Sequence, residues 1–406
     1  MPIEPARARA FVLHKQGLAG AGLDGLDAAT AATGGVYGTA PTCYLTYAAR
    51  VGGSALDQLD QAVYRDRRLV RLRAMRGSSY LVPAGRLAAV VAATGWLGER
   101  AARAAAKASG LDQGAFDQLA DRIEQAMAGR PPLTKAELRV LVDARAGLVD
   151  WAVVLLCAKA RLVRADVRGG WRSDTYAYAR WADWLGANLE PLGERAAHAE
   201  LARAYLRAYG PATVADLAWW SGLGLRAAAA ASADLGEEVE PVTLRGPDGT
   251  AAEPALVLAA EAGALAATDP GAAAGVRLLP VWDAYLMGYA KGPAARARVL
   301  APADYERVYD AAGNGTATLL VDGAVAGVWE LAPAAAKGAA GRLAVTVAPF
   351  KAPGRRLRAA VEAAAAELAT RTGHEDAQVS WAEPPGRLAD GARNAFMAPV
   401  RLGARR

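Results

Sequence analysis

The spacing of apolar residues changes between residues 55 and 82 from a helical period to a period of two. Over 55–65 the apolar side chains recur every three or four positions, as on one face of a helix. Over 69–76 arginines alternate with apolar residues, which is typical of a β-strand with one basic and one apolar side. A turn at Gly77-Ser78 and a second strand over 79–82 follow. Helices followed by a basic two-stranded hairpin favour a winged helix.

The same succession recurs in the next part of the chain. Helical patterns between residues 96 and 156 lead to a strand over 162–168, a glycine turn at 169–170 and a second strand over 171–178. A third unit begins near residue 200, and Thr213 is placed to cap one of its helices. A turn is predicted at 246–249, where Gly-Pro-Asp-Gly occurs.

Short strands dominate after residue 275. The clearest is a hairpin over 318–329 with its turn at Asp322-Gly323, and a helix over 355–372 precedes a last strand. The sequence therefore predicts an α+β protein, mainly α-helical with β wings, in which three tandem winged-helix units precede a small C-terminal β-barrel or curled sheet. The expected domains are winged helices at 1–95, 96–190 and 191–274, and a barrel-like domain with one helix at 275–406.

Composition narrows the class of partner. The formal charge is +6 and the pI about 9.3, which suits a polyanionic partner. With 53% hydrophobic and 22% charged residues the chain is expected to fold. Cys43 and Cys157 are expected to be buried and reduced, and the three histidines lack ligand spacing, so no metal or cofactor is expected. We find no signal peptide or membrane-length apolar run, and we expect a cytoplasmic, nucleoid-associated monomer without membrane contact.

Residues 34–42 break the helical pattern of the first unit. Their sequence, Gly-Gly-Val-Tyr-Gly-Thr-Ala-Pro-Thr, cannot continue a helix, because three glycines and a proline interrupt it. Tyr37 and Thr39 are therefore displayed on irregular backbone, where functional side chains are often found.

Five segments carry a resemblance to a known family. They are the run GPATVADLAWWSG at 210–222, the segments at 283–289 and 321–323, and the two hairpin turns at 75–78 and 168–173. These segments, and their order along the chain, resemble those of the winged-helix family of bacterial alkylpurine and crosslink-repair DNA glycosylases, the AlkZ/YcaQ-like proteins. The resemblance covers nearly the whole chain and implies three winged-helix units and a β-barrel that together bind duplex DNA.

The resemblance also implies where catalysis takes place. In that family the catalytic residues form a Gln-x-Gln or Gln-x-Asp motif inside Gly-Gly-Leu-Gln-x-Gln-x-Pro. Here Gly34-Gly35-Val36 and Pro41 preserve the context and align Tyr37 and Thr39 with the two catalytic positions, and neither residue is Gln or Asp. Both hydroxyls could orient a water molecule. The alternative is that Tyr37 packs against DNA or the core while Thr39 caps the loop.

A negative charge near the reacting sugar would have to come from elsewhere. Asp283 is the candidate catalytic carboxylate, and the alternative is an ordinary turn or strand-end residue. Basic and aromatic residues of the two hairpins are the candidate DNA contacts, with a solvated charged face and ordinary hairpin packing as the alternatives. These candidates are Arg65, Arg67, Arg68, Arg71, Arg73, Arg76, Ser78, Arg164, Arg168, Trp171 and Arg172, with Tyr176 and Tyr178 as further aromatics and Arg401–Arg406 as a basic tail.

Two functions follow as hypotheses. The first is a monofunctional DNA glycosylase that removes bulky N7- or N3-alkylated purines, including crosslinks, from double-stranded DNA, with self-resistance to a DNA-alkylating natural product as its biological role. The second is a catalytically silent DNA- or adduct-binding protein, a regulator or damage sensor. The absence of Gln from positions 37 and 39 is the main argument for the second.

Overall fold

Three times along the chain, a helix and a short extended segment lead into two helices and a β-hairpin. The structure is a computed structural model, and it describes residues 2–186, 189–246, 252–331 and 341–388. The predicted turn at 246–249 lies mostly outside the described residues, and the tail at 401–406 lies wholly outside them. The protein is α+β and mainly helical, as predicted.

The first region holds the loop at 34–42 inside a helical bundle. Its elements are α1 (Pro5–Lys15), α2 (Gly25–Ala32), β1 (Val36–Tyr37), α3 (Thr42–Ala48), α4 (Ala55–Asp60), β2 (Leu69–Arg73) and β3 (Ser79–Pro83). The strands form an antiparallel sheet in the order β1-β3-β2, in which Arg71 pairs with Leu81 and Arg73 with Ser79. A short helical turn at Met75–Gly77 joins β2 to β3, so the predicted hairpin is confirmed.

The second region repeats the arrangement. Its elements are α5 (Leu87–Ala108), α6 (Gln113–Ala126), β4 (Leu133–Thr134), α7 (Lys135–Val142), α8 (Ala146–Ala158), β5 (Leu162–Arg168), β6 (Thr175–Arg180) and α9 (Trp181–Leu185). The sheet order is β4-β6-β5. The second strand begins at Thr175 rather than at 171, so Trp171 and Arg172 lie in the hairpin turn. Residues of this region alone form one hydrophobic core, from Ala102 to Tyr178.

The third region contains the run that carried much of the family resemblance. Its elements are α10 (Glu194–Tyr209), α11 (Val214–Ser221), α12 (Leu225–Ala233), β7 (Val239–Arg245), β8 (Ala252–Leu258) and α13 (Ala259–Ala267). Thr213 caps α11 as predicted: its hydroxyl accepts from the Asp216 backbone N–H, and the Asp216 carboxylate accepts from the Thr213 backbone N–H in return. Thr134 and Glu137 form the same capping box on α7.

The C-terminal region is a curled, open five-stranded sheet. Its elements are β9 (Val276–Leu279), α14 (Ala284–Met287), α15 (Tyr305–Val308), β10 (Thr318–Val321), β11 (Ala324–Leu331), β12 (Arg342–Pro349), α16 (Arg355–Arg371) and β13 (Asp376–Trp381). The order is β13-β12-β11-β10-β9, and α16 makes the crossover that the parallel pair β12–β13 requires. Within the described residues β9 and β13 remain edges, so of the two predicted forms the structure shows the curled sheet, and a β-barrel is not confirmed.

The hydrophobic core explains how the first region is held. One cluster joins residues of the first and C-terminal regions, among them Val36, Tyr44 and Trp329. A larger cluster joins the first, third and C-terminal regions, and it contains the fully buried Trp220. The loop at 34–42 is therefore anchored from several directions. Helix α5 runs through the predicted boundary at 95/96, and the division into four domains stays a prediction.

Candidate active site

The loop at 34–42 is attached to the first sheet. Val36 and Tyr37 form β1 and pair with Leu81 and Tyr80 of β3. Gly34 and Gly35 have φ of 67° and 116°, the left-handed region that favours glycine. A side chain at Gly34 would also meet the Trp220 ring at 3.1 Å. Glycine is therefore required at both positions to turn the chain into β1.

Tyr37 and Thr39 lie together and are both half-buried. The centre of the Tyr37 ring lies 4.7 Å from the centre of the Trp282 ring and 5.8 Å from that of Tyr80. Burial raises the pKa of Tyr37, and a side-chain hydrogen bond with Thr39 opposes the rise only in part. Tyr37 is therefore a neutral phenol at neutral pH, and the pair offers two hydroxyl groups and no charge.

The backbone on both sides of Thr39 is fixed by hydrogen bonds. The Gly38 N–H donates to the Ser79 carbonyl at 2.7 Å, and the Ala40 N–H donates to the Tyr176 hydroxyl at 3.0 Å. A Cβ at Gly38 would lie 2.9 Å from the Ser79 hydroxyl, so the loop runs directly against β3. Thr39 is thus held in place by one contact from its own sheet and one from β6 of the second region.

Trp282 covers Tyr37 from the C-terminal region. Its φ is 55°, in the left-handed region that residues other than glycine rarely adopt. Its backbone N–H donates to the Gly315 carbonyl at 3.2 Å, and its indole N–H donates to Asn314 Oδ1 at 3.2 Å. Holding a bulky residue in this conformation costs about 1–3 kcal/mol, and such strain concentrates at functional sites. Trp282 therefore belongs to the candidate site together with Tyr37.

Asp283 follows Trp282 but points into the core. Its carboxylate is fully buried and accepts two hydrogen bonds from the Arg50 guanidinium, at 2.7 and 2.8 Å. It also accepts the Tyr285 backbone N–H at 2.9 Å, which caps α14. These bonds leave no exposed oxygen to meet a substrate or a water molecule. We therefore correct the assignment of Asp283 as a catalytic carboxylate, because the structure gives it a structural role.

The predicted arginines differ in exposure. Arg65 and Arg67 are exposed, and the Arg67 guanidinium lies 4.1 Å from the Trp184 ring while donating to the Trp184 carbonyl at 2.6 Å. Arg68 forms an ion pair with Asp27. Arg65 and Arg67 therefore keep the exposure that a phosphate contact needs, and Arg68 shares its charge with a carboxylate.

Arg71 and Arg73 do lie on one side of β2, but that side is covered by the second region. Arg71 is 1% exposed; it bonds the Tyr64 hydroxyl and lies 3.7 Å from the Cys43 sulfur. Arg73 is half-buried and donates to the Gly77 carbonyl. Arg71 does not lie on an exposed face of the hairpin, so we correct the expectation that it meets phosphate from an exposed wing. The error came from assuming that the basic side of the strand faced solvent.

Arg76 and Ser78 lie at the tip of the first hairpin and are half-buried. Arg76 has φ of 55°, and its guanidinium lies 3.9 Å from the centre of the Trp219 ring. The Ser78 carbonyl accepts the Ala74 N–H at 2.8 Å. Trp220 is buried, whereas Trp219 is half-buried between Arg76 and Arg296.

The second hairpin is tied to the rest of the protein more closely than a free wing would be. Arg168 is exposed but pairs with Asp166 at 3.0 Å. The Trp171 ring packs edge-on against the rings of Tyr44 and His374, with ring centres 6.3 and 6.1 Å away. The Arg172 guanidinium lies 4.8 Å from the centre of the Trp171 ring. Packing, the alternative considered for the hairpin aromatics, therefore describes Trp171, which keeps only part of its surface exposed.

Arg164 connects the second hairpin to the loop. It donates to the Ser79 hydroxyl at 2.8 Å, and its guanidinium lies 4.6 Å from the centre of the Tyr176 ring. The Arg71 guanidinium lies 4.8 Å from the same ring. Tyr176 is thus a buried ring between two cations, with its hydroxyl on the loop backbone at Ala40.

No cluster of three or more metal-ligating side chains occurs in the part of the chain that the structure describes. In the same ranges, no helix is both long and apolar enough to cross a membrane.

Comparison with known proteins decides the family. The profile of a family described as "DNA glycosylase AlkZ-like" matches residues 23–371, which is most of the chain. The chain belongs to the AlkZ-like DNA glycosylase family. The resemblance predicted from the sequence is thereby confirmed.

A relative found by sequence and a solved structure, both from Streptomyces sahachiroi, support the assignment. The relative, described as an interstrand DNA cross-link repair glycosylase, is 32% identical over 327 residues, which cover 76% of this chain and 80% of that protein. The solved structure of the DNA glycosylase AlkZ matches with a TM-score of 0.73 and 25% identity, covering 94% of this chain and 100% of that one. The AlkZ-like match includes the loop, both hairpins and Trp282, whereas α1 and β13 lie outside it.

Two residues of this AlkZ-like site were missed by the sequence analysis. Trp282 gave no signal, because a left-handed tryptophan cannot be recognised from its neighbours. Tyr176 was considered only as an aromatic that stacks on DNA or packs in the hairpin, and its contact with Ala40 spans 136 positions. The alternating aromatics at 176 and 178 are buried, which confirms packing for both.

Proposed function

We propose that this chain is a monofunctional DNA glycosylase that hydrolyses the N-glycosidic bond of bulky N7- or N3-alkylated purines in duplex DNA, including interstrand crosslinks. The observation that carries the proposal is the pair of half-buried, neighbouring hydroxyls of Tyr37 and Thr39, in the loop that aligns with the family's catalytic motif. The related cross-link repair glycosylase from Streptomyces sahachiroi supports the substrate class.

Hydrolysis of this glycosidic bond needs little acid or base catalysis from the protein. An N7- or N3-alkylated purine already carries a positive charge, so its bond to the sugar is weakened. Water oxygen bonds to C1′, the electron pair of the glycosidic bond leaves with the purine, which departs neutral, and a water proton passes to solvent. Tyr37 and Thr39 hold that water against C1′ by positioning rather than by strong base catalysis.

DNA binding is assigned to the three repeated units. We propose that each is a winged helix, and that the exposed Arg65, Arg67 and Arg168 contact phosphates. Because such contacts release counterions, affinity should fall steeply with salt and depend little on sequence. A monomer suffices for this arrangement. We also include self-resistance to a DNA-alkylating natural product in the proposal, tested by survival of a sensitive bacterium that expresses the chain.

A silent DNA- or adduct-binding protein is the second candidate. The observation that favours it is electrostatic: the charged groups that act on Tyr37 are Arg164 and Arg76, both cations, and neither loop hydroxyl supplies a negative charge. Cations disfavour the positive charge that develops on the sugar.

The decisive experiment uses purified protein and duplexes that carry a methyl adduct, a crosslink or a bulky intercalating adduct. A glycosylase produces abasic sites that remain uncut until alkali is added. Thr39→Ala and Tyr37→Phe should slow this step while leaving duplex binding intact. Tight binding with no abasic product from any of the three duplexes would establish the silent binding protein instead.

A further inference from the structure

Four cationic side chains meet where β2 of the first region packs against α7 and β5 of the second. They are Arg71, Arg73, Lys135 and Arg164, here named the junction cluster. They line a small space, with a volume of about 20 Å³ for the centres of water-sized groups, which is also bordered by Cys157 and Tyr178. Arg71 forms its buried base, and the other three are half-buried. The cluster therefore lies inside the protein but has an open side.

The positive charge of the junction cluster is not balanced within the described residues. The only carboxylate there within 4.0 Å of a cluster cation is Asp150, 3.9 Å from Lys135, and both of its oxygens accept bonds from Arg139 at 2.8 Å. Asp60 acts on Arg71 from farther away and accepts a hydrogen bond from Tyr44. Unpaired charges in a protein interior are costly, so such a site calls for an anion.

The partners of the arginines are neutral, and one donor has none. Arg71 bonds a tyrosine hydroxyl and a thiol, Arg73 a carbonyl, and Arg164 the Ser79 hydroxyl. Among the residues that the structure describes, the buried Nε of Arg71 has no hydrogen-bond partner. Burial lowers the pKa of Arg73, and the neighbouring Arg164 lowers it further. An oxyanion between the guanidinium groups would balance their positive charge, accept a hydrogen bond from the Arg71 Nε and favour the charged form of Arg73.

The cluster is linked to the candidate catalytic loop by two short chains of contacts. Arg164 donates a hydrogen bond to the Ser79 hydroxyl, and the Ser79 carbonyl accepts a hydrogen bond from the Gly38 N–H at 2.7 Å. The ring of Tyr176 lies between Arg71 and Arg164, and its hydroxyl accepts a hydrogen bond from the Ala40 N–H at 3.0 Å. An anion in the cluster would therefore act on both residues that flank Thr39.

We propose that the junction cluster is a binding site for one phosphate-type oxyanion, and that a backbone phosphate of the DNA substrate fills it. The planar guanidinium group of arginine can donate two parallel hydrogen bonds to phosphate oxygens, and the lysine ammonium group adds a compact positive charge. The small space suits one tetrahedral group rather than a nucleotide. The identity of the anion as a DNA phosphate rests on the proposed function, whereas the existence of the site does not.

The first test uses the full chain without DNA. Sodium sulfate or inorganic phosphate is titrated over the low millimolar range, with sodium chloride holding ionic strength constant, and the unfolding temperature is measured. A saturable rise is expected because the anion binds the folded state. Arg73→Gln and Lys135→Gln should weaken that binding at least tenfold. Arg100→Gln, which removes an exposed arginine outside the cluster, should keep the wild-type curve. Equal curves for all the variants would overturn the site.

The second test identifies the occupant. Binding of an unmodified duplex is measured from about 50 to 200 mM salt, and Arg73→Gln should weaken it and reduce the slope against log salt by about one unit. A lower affinity without a change in slope, or no change at all, would overturn the DNA assignment. These results do not depend on catalysis: sulfate binding that requires Arg73, together with no abasic product from adducted DNA, would leave the site standing and refute the glycosylase.

Discussion

The ion pair between Arg50 and Asp283 gives the sharpest prediction, because it distinguishes a structural carboxylate from a catalytic one. Both side chains are 0% exposed, and two hydrogen bonds of 2.7 and 2.8 Å join them. Asp283→Asn keeps the shape and one acceptor for the Tyr285 N–H, but it leaves the Arg50 cation without a buried counter-charge. We expect a large loss of stability with little direct effect on chemistry.

The magnitude follows from burial. Removing one partner of a buried pair costs about 3–5 kcal/mol, since the remaining charge is neither solvated nor neutralised. Stabilities of folded proteins are about 5–15 kcal/mol, so the loss is a large part of the total. With a urea m-value of about 3 kcal/mol/M, the unfolding midpoint should fall by about 1–1.7 M.

The assay is equilibrium urea unfolding followed by circular dichroism, beside single-turnover kinetics at a temperature where the variant is still folded. A double variant, Arg50→Met with Asp283→Asn, supplies the control, because it removes both charges. It should recover part of the stability lost by Asp283→Asn alone. An unchanged urea midpoint combined with a thousandfold loss of activity would refute the structural role and restore Asp283 as a catalytic residue.

Three further predictions concern the loop and the buried tyrosines. Tyr176→Phe removes the hydroxyl that accepts the Ala40 N–H at 3.0 Å and donates to the Gly38 carbonyl at 3.5 Å. The shorter bond is worth about 0.5–1.5 kcal/mol, so the change should slow base excision by up to about tenfold without changing DNA affinity. Tyr205→Phe, which also loses a bond to a backbone carbonyl, should leave the excision rate unchanged. Gly38→Ala should displace the loop and reduce single-turnover rates, while Gly85→Ala, where a Cβ meets nothing within 4 Å, should match wild type. Burial raises the pKa of Tyr289 to about 12, so its contribution to stability is complete below the ordinary tyrosine pKa of about 10 and is lost as pH rises through about 12. The difference in absorbance at 295 nm between the wild type and Tyr289→Phe should show this tyrosine ionising only as the protein unfolds.

Local signals were sufficient for most of the secondary structure. Asp322-Gly323 fixes the turn between β10 and β11, and Asp322 has the positive φ that such a turn requires. Helix α16, predicted over 355–372, spans Arg355–Arg371. Thr213 caps its helix because the capping box needs only residues three positions apart. Features of this kind are decided within one turn of chain and can therefore be predicted from sequence.

Burial could not be predicted in the same way. The alternation of β2 placed Arg71 and Arg73 on one side correctly, but only the docking of the second region decides whether that side meets water. Asp283 has no nearby basic residue in sequence, and its partner Arg50 lies 233 positions away. Closure of the C-terminal sheet likewise depends on pairing between its edge strands, which no local pattern specifies.

The tilted contact between the rings of Tyr37 and Trp282 makes these two positions interdependent. Installing an amide at position 37, as in the family's motif, would remove the ring that covers Trp282 and leave a strained tryptophan facing a gap. Substitutions in contact are not additive, so the effect of a glutamine at 37 should depend on the residue at 282. Converting this loop into the family's common form is therefore a problem of epistasis across 245 positions, and an engineered variant that restores both amides needs a matching change at Trp282.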